Sequence, residues 1–320
     1  MRTTFMDWFG LSAPIVQAPV QGPESLALTM AVSRAGGLGS VAMTWIDGEA
    51  GLAAVAKLKA MERPFIGNFV LRFGTTAPAF YLDAGLPAVT FSWGIDEGLI
   101  AAYSSRGTKV GVQVGSVAGA HKAMAAGADF IITQGIEAGG HVQSTTPLAH
   151  VLAETVAIAG DTPVIAAGGL AAGADVARVM KAGAQGAMLG TRFVASVESM
   201  AHDAYKQALV AASASDIVNT YCFDIGWPYA ASGVLRNTTF SAWEAAGSPQ
   251  APHRPGEGDI TFRRGGADII RYSDNWPAAD STGDVLSGCL YAGTSVDGIS
   301  SVLPAAEIVK TLWADAQKLL

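Results

Sequence analysis

The sequence predicts an α/β protein built as a (β/α)8 TIM barrel with a smaller inserted cap domain. Three observations carry this expectation. Eight short, continuously apolar runs recur through the first two-thirds of the 320 residues. Ala-rich segments of helical periodicity separate them, at the ~20–28-residue spacing of βα units. After about Val197 the rhythm stops.

The expected strands are Ile15–Ala18, Gly39–Ala42, Phe65–Val70, Ala88–Phe91, Lys109–Val114, Phe130–Thr133, Val164–Ala167 and Gly186–Leu189. Runs that are apolar without alternation are buried on both faces, as in a parallel sheet covered by helices. Between them the periodicity places helices at Glu24–Ala35, Gly48–Met61, Ala77–Ala84, Glu97–Ser105, Ala118–Ala126, Pro147–Ala159, Ala174–Ala182 and Glu198–Ala211. The competing fold is an open doubly wound sheet, which carries a glycine fingerprint in its first βα turn. Here that turn reads Ala18-Pro-Val-Gln-Gly22, without GxGxxG. The barrel is therefore expected over 1–212, with a cap over 213–287 and a C-terminal segment, 288–320, packing back on the barrel. Tyr221–Asp284, rich in Trp, Pro, Gly and Arg, reads as irregular structure with short helices. Pro304–Leu320 reads as an amphipathic helix that buries Ile308, Leu312 and Leu319.

Composition narrows the function. Half the residues are apolar, 15% are charged, and 20 basic against 27 acidic residues leave a net charge of −7. Such a chain carries no electrostatic footprint for nucleic acid or an anionic membrane. Two cysteines make no disulfide framework and fit a reducing compartment. No apolar run reaches transmembrane length and the N-terminus lacks a signal-peptide core, so a cytoplasmic location is expected. No HxH or HExxH spacing suggests a metal, and no GxSxG elbow is present.

The strongest local signal is Gln134-Gly-Ile-Glu-Ala-Gly-Gly-His141, directly after the sixth strand. Strand C-terminal ends form the active-site face of this fold. Gly139 and Gly140 allow close backbone approach to a ligand, and His141 can exchange a proton near neutral pH. The plainer alternative has His141 bonded to a loop carbonyl. Ala167-Gly168-Gly169 and Gly190-Thr191-Arg192 follow the seventh and eighth strands, where barrels repeatedly bind phosphate through loop amides and a helix N-terminus. Tight turns alone would also explain these glycines. Asn68 and Gln134 can present amides to the same mouth, or serve as turn residues. Trp227, Trp243 and Trp276 are packing anchors or, for at least one, a substrate contact. His121, His150 and His202 fall in expected helices and are assigned to the surface.

Taken together, PIVQAPVQGP (14–23), GGLGSV (36–41), GNF (67–69), QGIEAGGH (134–141), PVIAAGGL (163–170), LGTRF (189–193) and the tail YAGTSVDGI…LPAAEIV (291–309) resemble the nitronate monooxygenase family. The resemblance implies a barrel that binds FMN non-covalently, its phosphate in the seventh and eighth loops. It implies FMN contacts at Ala18, Pro19, Val20, Asn68, Gln134, Gly139, Gly140, Gly168, Gly169, Met188, Leu189, Gly190 and Thr191. His141 matches the catalytic histidine, with a nitronate and O2 as reactants and a carbonyl compound and nitrite as products. An enoyl-acyl-carrier-protein reductase or quinone reductase using NAD(P)H is the near alternative, and a non-catalytic phosphate-ligand barrel the distant one. A cap of this kind can supply a homodimer surface. Val20 stands where the family often has Met, and Gln143 where it often has Gly.

Overall fold

The structure is a computed structural model and describes residues 2–20, 22–46 and 48–320; Gln21 of the first-strand motif lies outside them. The barrel strands are β1 (Ile15–Gln17), β2 (Gly39–Ala42), β3 (Phe65–Val70), β4 (Ala88–Ser92), β5 (Lys109–Val114), β6 (Phe130–Gln134), β7 (Val164–Ala167) and β8 (Gly186–Leu189). They pair in parallel in one eight-stranded sheet, with β8 beside β1. A parallel bridge between Val16 and Leu38 closes the ring. There Gln17 N donates to Leu38 O and Leu38 N to Ile15 O, each at 2.9 Å. The continuous apolar runs are buried along nearly their whole length, as two-sided coverage requires.

The N-terminal helix Thr4–Phe9, unanticipated from the sequence, brings Phe5 and Phe9 onto Phe130 of β6, with ring centroids 5.3 and 6.4 Å apart. These rings join Ile66, Ile132 and Ile165 in the barrel interior. Gly111 of β5 makes room for them: a Cβ there would stand 2.3 Å from the Phe130 ring.

The outer helices match the expected periodicity with two shortfalls. Thr76–Phe80 is a short helix followed by turns, not a helix to Ala84. The helix expected from Glu198 begins at Asp203, because the Glu198 carboxylate is taken by Ala305 N at 2.8 Å and Ala201 bridges to Ala278. His202 is therefore the cap of that helix, accepting from Ala204 N at 3.1 Å, and not an interior residue. The helix Ala305–Leu319 packs on Gly173–Lys181 and Leu26–Arg34. It buries Ile308 and Leu312 but leaves Leu319 49% exposed, contrary to expectation. Among the described residues no helix is long and apolar enough to cross a membrane.

The region expected to be irregular contains strands. Ile217–Thr220, Ser232–Leu235 and Gly140–His141 form one antiparallel sheet; Ala267–Ile270, Ile260–Arg264 and Thr282–Gly283 form another. Helix Thr238–Ala245 lies between them in sequence, capped by Asn237, which accepts from Phe240 N at 3.1 Å. Cys222 and Cys289 are free thiols buried in the core of this region. Burial pushes the Cys222 thiol up to about 12, so it is packing material and not a nucleophile.

Candidate active site

The mouth at the C-terminal strand ends holds a cavity of about 500 Å³, within the ~300–1,000 Å³ typical of cofactor and ligand sites. The fourteen residues that the resemblance marks for cofactor binding or catalysis all line it: Ala18, Pro19, Val20, Asn68, Gln134, Gly139, Gly140, His141, Gly168, Gly169, Met188, Leu189, Gly190 and Thr191. Gln113 of β5 joins them.

His141 is placed by a strand that leaves the barrel. After β6, Gly140–His141 pairs with Gly233 and Ser232 of the inserted region. Gly140 takes φ 73°, which glycine adopts freely, and its missing Cβ faces open space. Gly139 is required by packing instead: a Cβ there would lie 2.5 Å from the Ala292 carbonyl carbon. Gln134 braces this loop, its Oε1 accepting from Gln143 N at 2.7 Å. Gln143 is held through its backbone, and its buried Nε2 has no partner.

The imidazole of His141 stacks against Trp227 at 4.6 Å and against Tyr291 at 5.4 Å. Burial among these rings lowers its pKa from 6.5 to about 4, so it is neutral at pH 7. Tyr291 donates its hydroxyl proton to Asp274 O at 2.9 Å, and the Tyr291 hydroxyl oxygen itself lies 3.5 Å from His141 Nε2. That oxygen is left to accept, which favours the tautomer with Nε2–H and a basic Nδ1.

Across the mouth, Gly168 and Gly169 turn with φ 116° and 67°. Among the described residues, the N–H groups of Gly168, Gly169, Gly190 and Thr191 meet no protein acceptor. Gly190 has an ordinary negative φ, and a Cβ there would meet only Ala18 and Val20, at 3.6 and 3.7 Å. Glycine at 190 therefore keeps the cavity open and satisfies no backbone constraint. The helix dipole expected from the sequence contributes little. The helix after β8 is the single turn Thr191–Val194, and Asp175 already caps Gly173–Lys181 by accepting from Ala171 and Ala172 N at 3.1 and 3.0 Å. The donors are loop amides, a concavity suited to an anion.

Asn68 donates Nδ2 to Thr90 Oγ1 at 3.0 Å, leaving its carbonyl for the cavity. Of the three tryptophans weighed above, Trp276 lines the cavity, Trp227 lies against His141, and Trp243 anchors packing with Nε1 on Pro249 O at 2.9 Å. Trp45, Trp93, Asp274 and Tyr291 also line it and were not singled out. Trp45 and Trp93 sit just past β2 and β4, where position alone marks them. Asp274 carried no sequence signal. Burial raises its carboxyl from 3.8 to about 6.

Fold and cavity together define a (β/α)8-barrel enzyme whose polar groups gather at the C-terminal mouth. A family model described as nitronate monooxygenase matches residues 75–315, and the chain belongs to that family. A nitronate monooxygenase of Pseudomonas aeruginosa is 30% identical across 98% of both chains. Among solved structures, FabK from Thermotoga maritima superposes with a TM-score of 0.84 at 26% identity, over 99% of this chain and 97% of that one. Nitroalkane oxidase from Streptomyces ansochromogenes gives 0.80 at 28% identity over 98% of each.

Proposed function

We propose that this protein is an FMN-dependent oxidoreductase that converts nitronates and dioxygen to a carbonyl compound and nitrite. The observation that carries the reading is a neutral, half-buried His141 on one side of a cavity whose other side offers four free amides. Gly168, Gly169, Gly190 and Thr191 would hold the cofactor phosphate. Ala18–Val20, Asn68, Gln134, Gly139, Gly140, Met188 and Leu189 would border its ring. When bound, the flavin supplies the electron acceptor for the nitronate.

The chain's own groups set which form of the substrate is used. A base with a pKa near 4 has little driving force for removing a carbon-bound proton. A neutral imidazole can instead donate its single N–H, on Nε2, to an oxygen of a nitronate that has already lost its proton, which then takes that donor from the Tyr291 hydroxyl oxygen 3.5 Å away. Burial beside Trp227 strengthens that bond by excluding water. The nitronate is therefore the preferred form over the parent nitroalkane.

The test is a visible spectrum of the purified protein, followed by anaerobic addition of ethylnitronate and, separately, NADPH. Flavin bands bleached by the nitronate and not by NADPH are expected. Bleaching by NADPH alone would replace this reading with the reductase one, and a protein that takes up no FMN would end both.

A further inference from the structure

An indole-lined rim has no part in the reading above. Trp45 past β2, Trp93 past β4 and Trp276 of the inserted region all line the cavity. β4 stands four strands from β8 in the closed ring, so Trp93 lies across the mouth from the Gly190–Thr191 loop.

Two features set these rings apart from ordinary packing. Trp93 has φ 59°, a left-handed backbone that a bulky residue adopts only under strain, typical of functional sites. The strained turn holds its ring 5.1 Å from Trp227, edge to face. The second feature is continuity from the reacting imidazole to solvent: His141 to Trp227 at 4.6 Å, Trp227 to Phe73 at 5.0 Å, Phe73 to Trp45 at 5.4 Å. The outer rings stay wet, with Trp45 55% and Phe73 47% exposed. Exposed apolar surface that converges on a cavity marks a ligand groove. Arg264 stacks on Trp276 at 4.0 Å and extends the flat wall.

We propose that this rim binds a planar aromatic group, making aryl-substituted nitronates the substrate class. Indole faces and edges favour flat rings through offset and edge-to-face contact, whereas a two-carbon chain has no ring to offer them. The reacting group rests on the nitronate reading; the ring rests on the rim alone.

The experiment uses the FMN-loaded protein and two readouts. The first is kcat/KM for the nitronates of phenylnitromethane and nitroethane. The second is calorimetric Kd for nitrobenzene and 2-methyl-2-nitropropane, neither of which has an α-hydrogen and so neither forms a nitronate. An aromatic preference of about tenfold or more is expected in both. Trp45→Ala and Phe73→Ala should each shrink it roughly 3- to 10-fold. Phe80→Ala, as exposed at 51% but outside this chain of rings, should leave it intact. Equal values for the aromatic and aliphatic partners, or a preference untouched in both rim variants, overturn the proposal. Tighter nitrobenzene binding without turnover of either nitronate would overturn the nitronate reading and leave the aromatic site standing.

Discussion

His141 owes its chemistry to its neighbours more than to its place in the sequence. With its pKa held near 4 by burial, it stays neutral across the range where a free histidine titrates. The kcat/KM for a nitronate should therefore show no limb near 6.5, and a limb there in a pH–rate profile would contradict this environment. His141→Ala should lower turnover roughly 10²–10³-fold, the cost of losing one donor to a charged oxygen, while flavin absorbance is retained; wild-type turnover would remove the assignment. His141 was legible because EAGGH follows a strand end. Its pKa was not, since Trp227 and Tyr291 reach it from 86 and 150 residues away in sequence. Asp274 was illegible for the same reason. It is an ordinary aspartate until Gly226, whose Cβ would stand 2.3 Å from its carboxylate, and the cavity wall close around it.

Elements divide by how local their causes are. The barrel strands were readable nearly to the residue, because burial on both faces writes itself as unbroken apolar runs. The hairpin Ile260–Ile270 was missed although RRGGAD carries its turn: Gly265 and Gly266 take φ 57° and 81°, the left-handed pair that a two-residue hairpin demands. The β7 loop makes a sharp prediction. In Gly169→Ala the new methyl meets Glu137 Cβ at 2.9 Å and Thr294 Oγ1 at 3.0 Å, on a left-handed residue. Stability should fall by about 1–3 kcal/mol in urea unfolding, and the purified protein should carry less FMN.

At the scale of the molecule, two desolvated groups of one cavity pull stability in opposite directions. His141 must stay neutral to remain folded, so between pH 6.5 and about 4 stability drops as pH falls. Asp274 favours its proton in the fold, so between 3.8 and about 6 stability drops as pH rises. Asp274→Asn removes the second effect. Urea titrations should then find the variant more stable than wild type at pH 7, with a steeper rise of stability from pH 4 to 6. The plug at the opposite end of the barrel is plainly structural. Phe5→Ala empties a fully buried site and should cost about 3–5 kcal/mol, read as a lower unfolding midpoint with flavin chemistry preserved in the folded fraction.

The strand Gly140–His141 is held in place by main-chain bonds to Gly233 and Ser232. Main-chain pairing is indifferent to side-chain identity but intolerant of a shifted register. Aromatic side chains near the mouth can therefore be replaced, altering what is recognised, while the histidine keeps its address. A single inserted residue between Tyr221 and Ser232 would be far more damaging than many substitutions there.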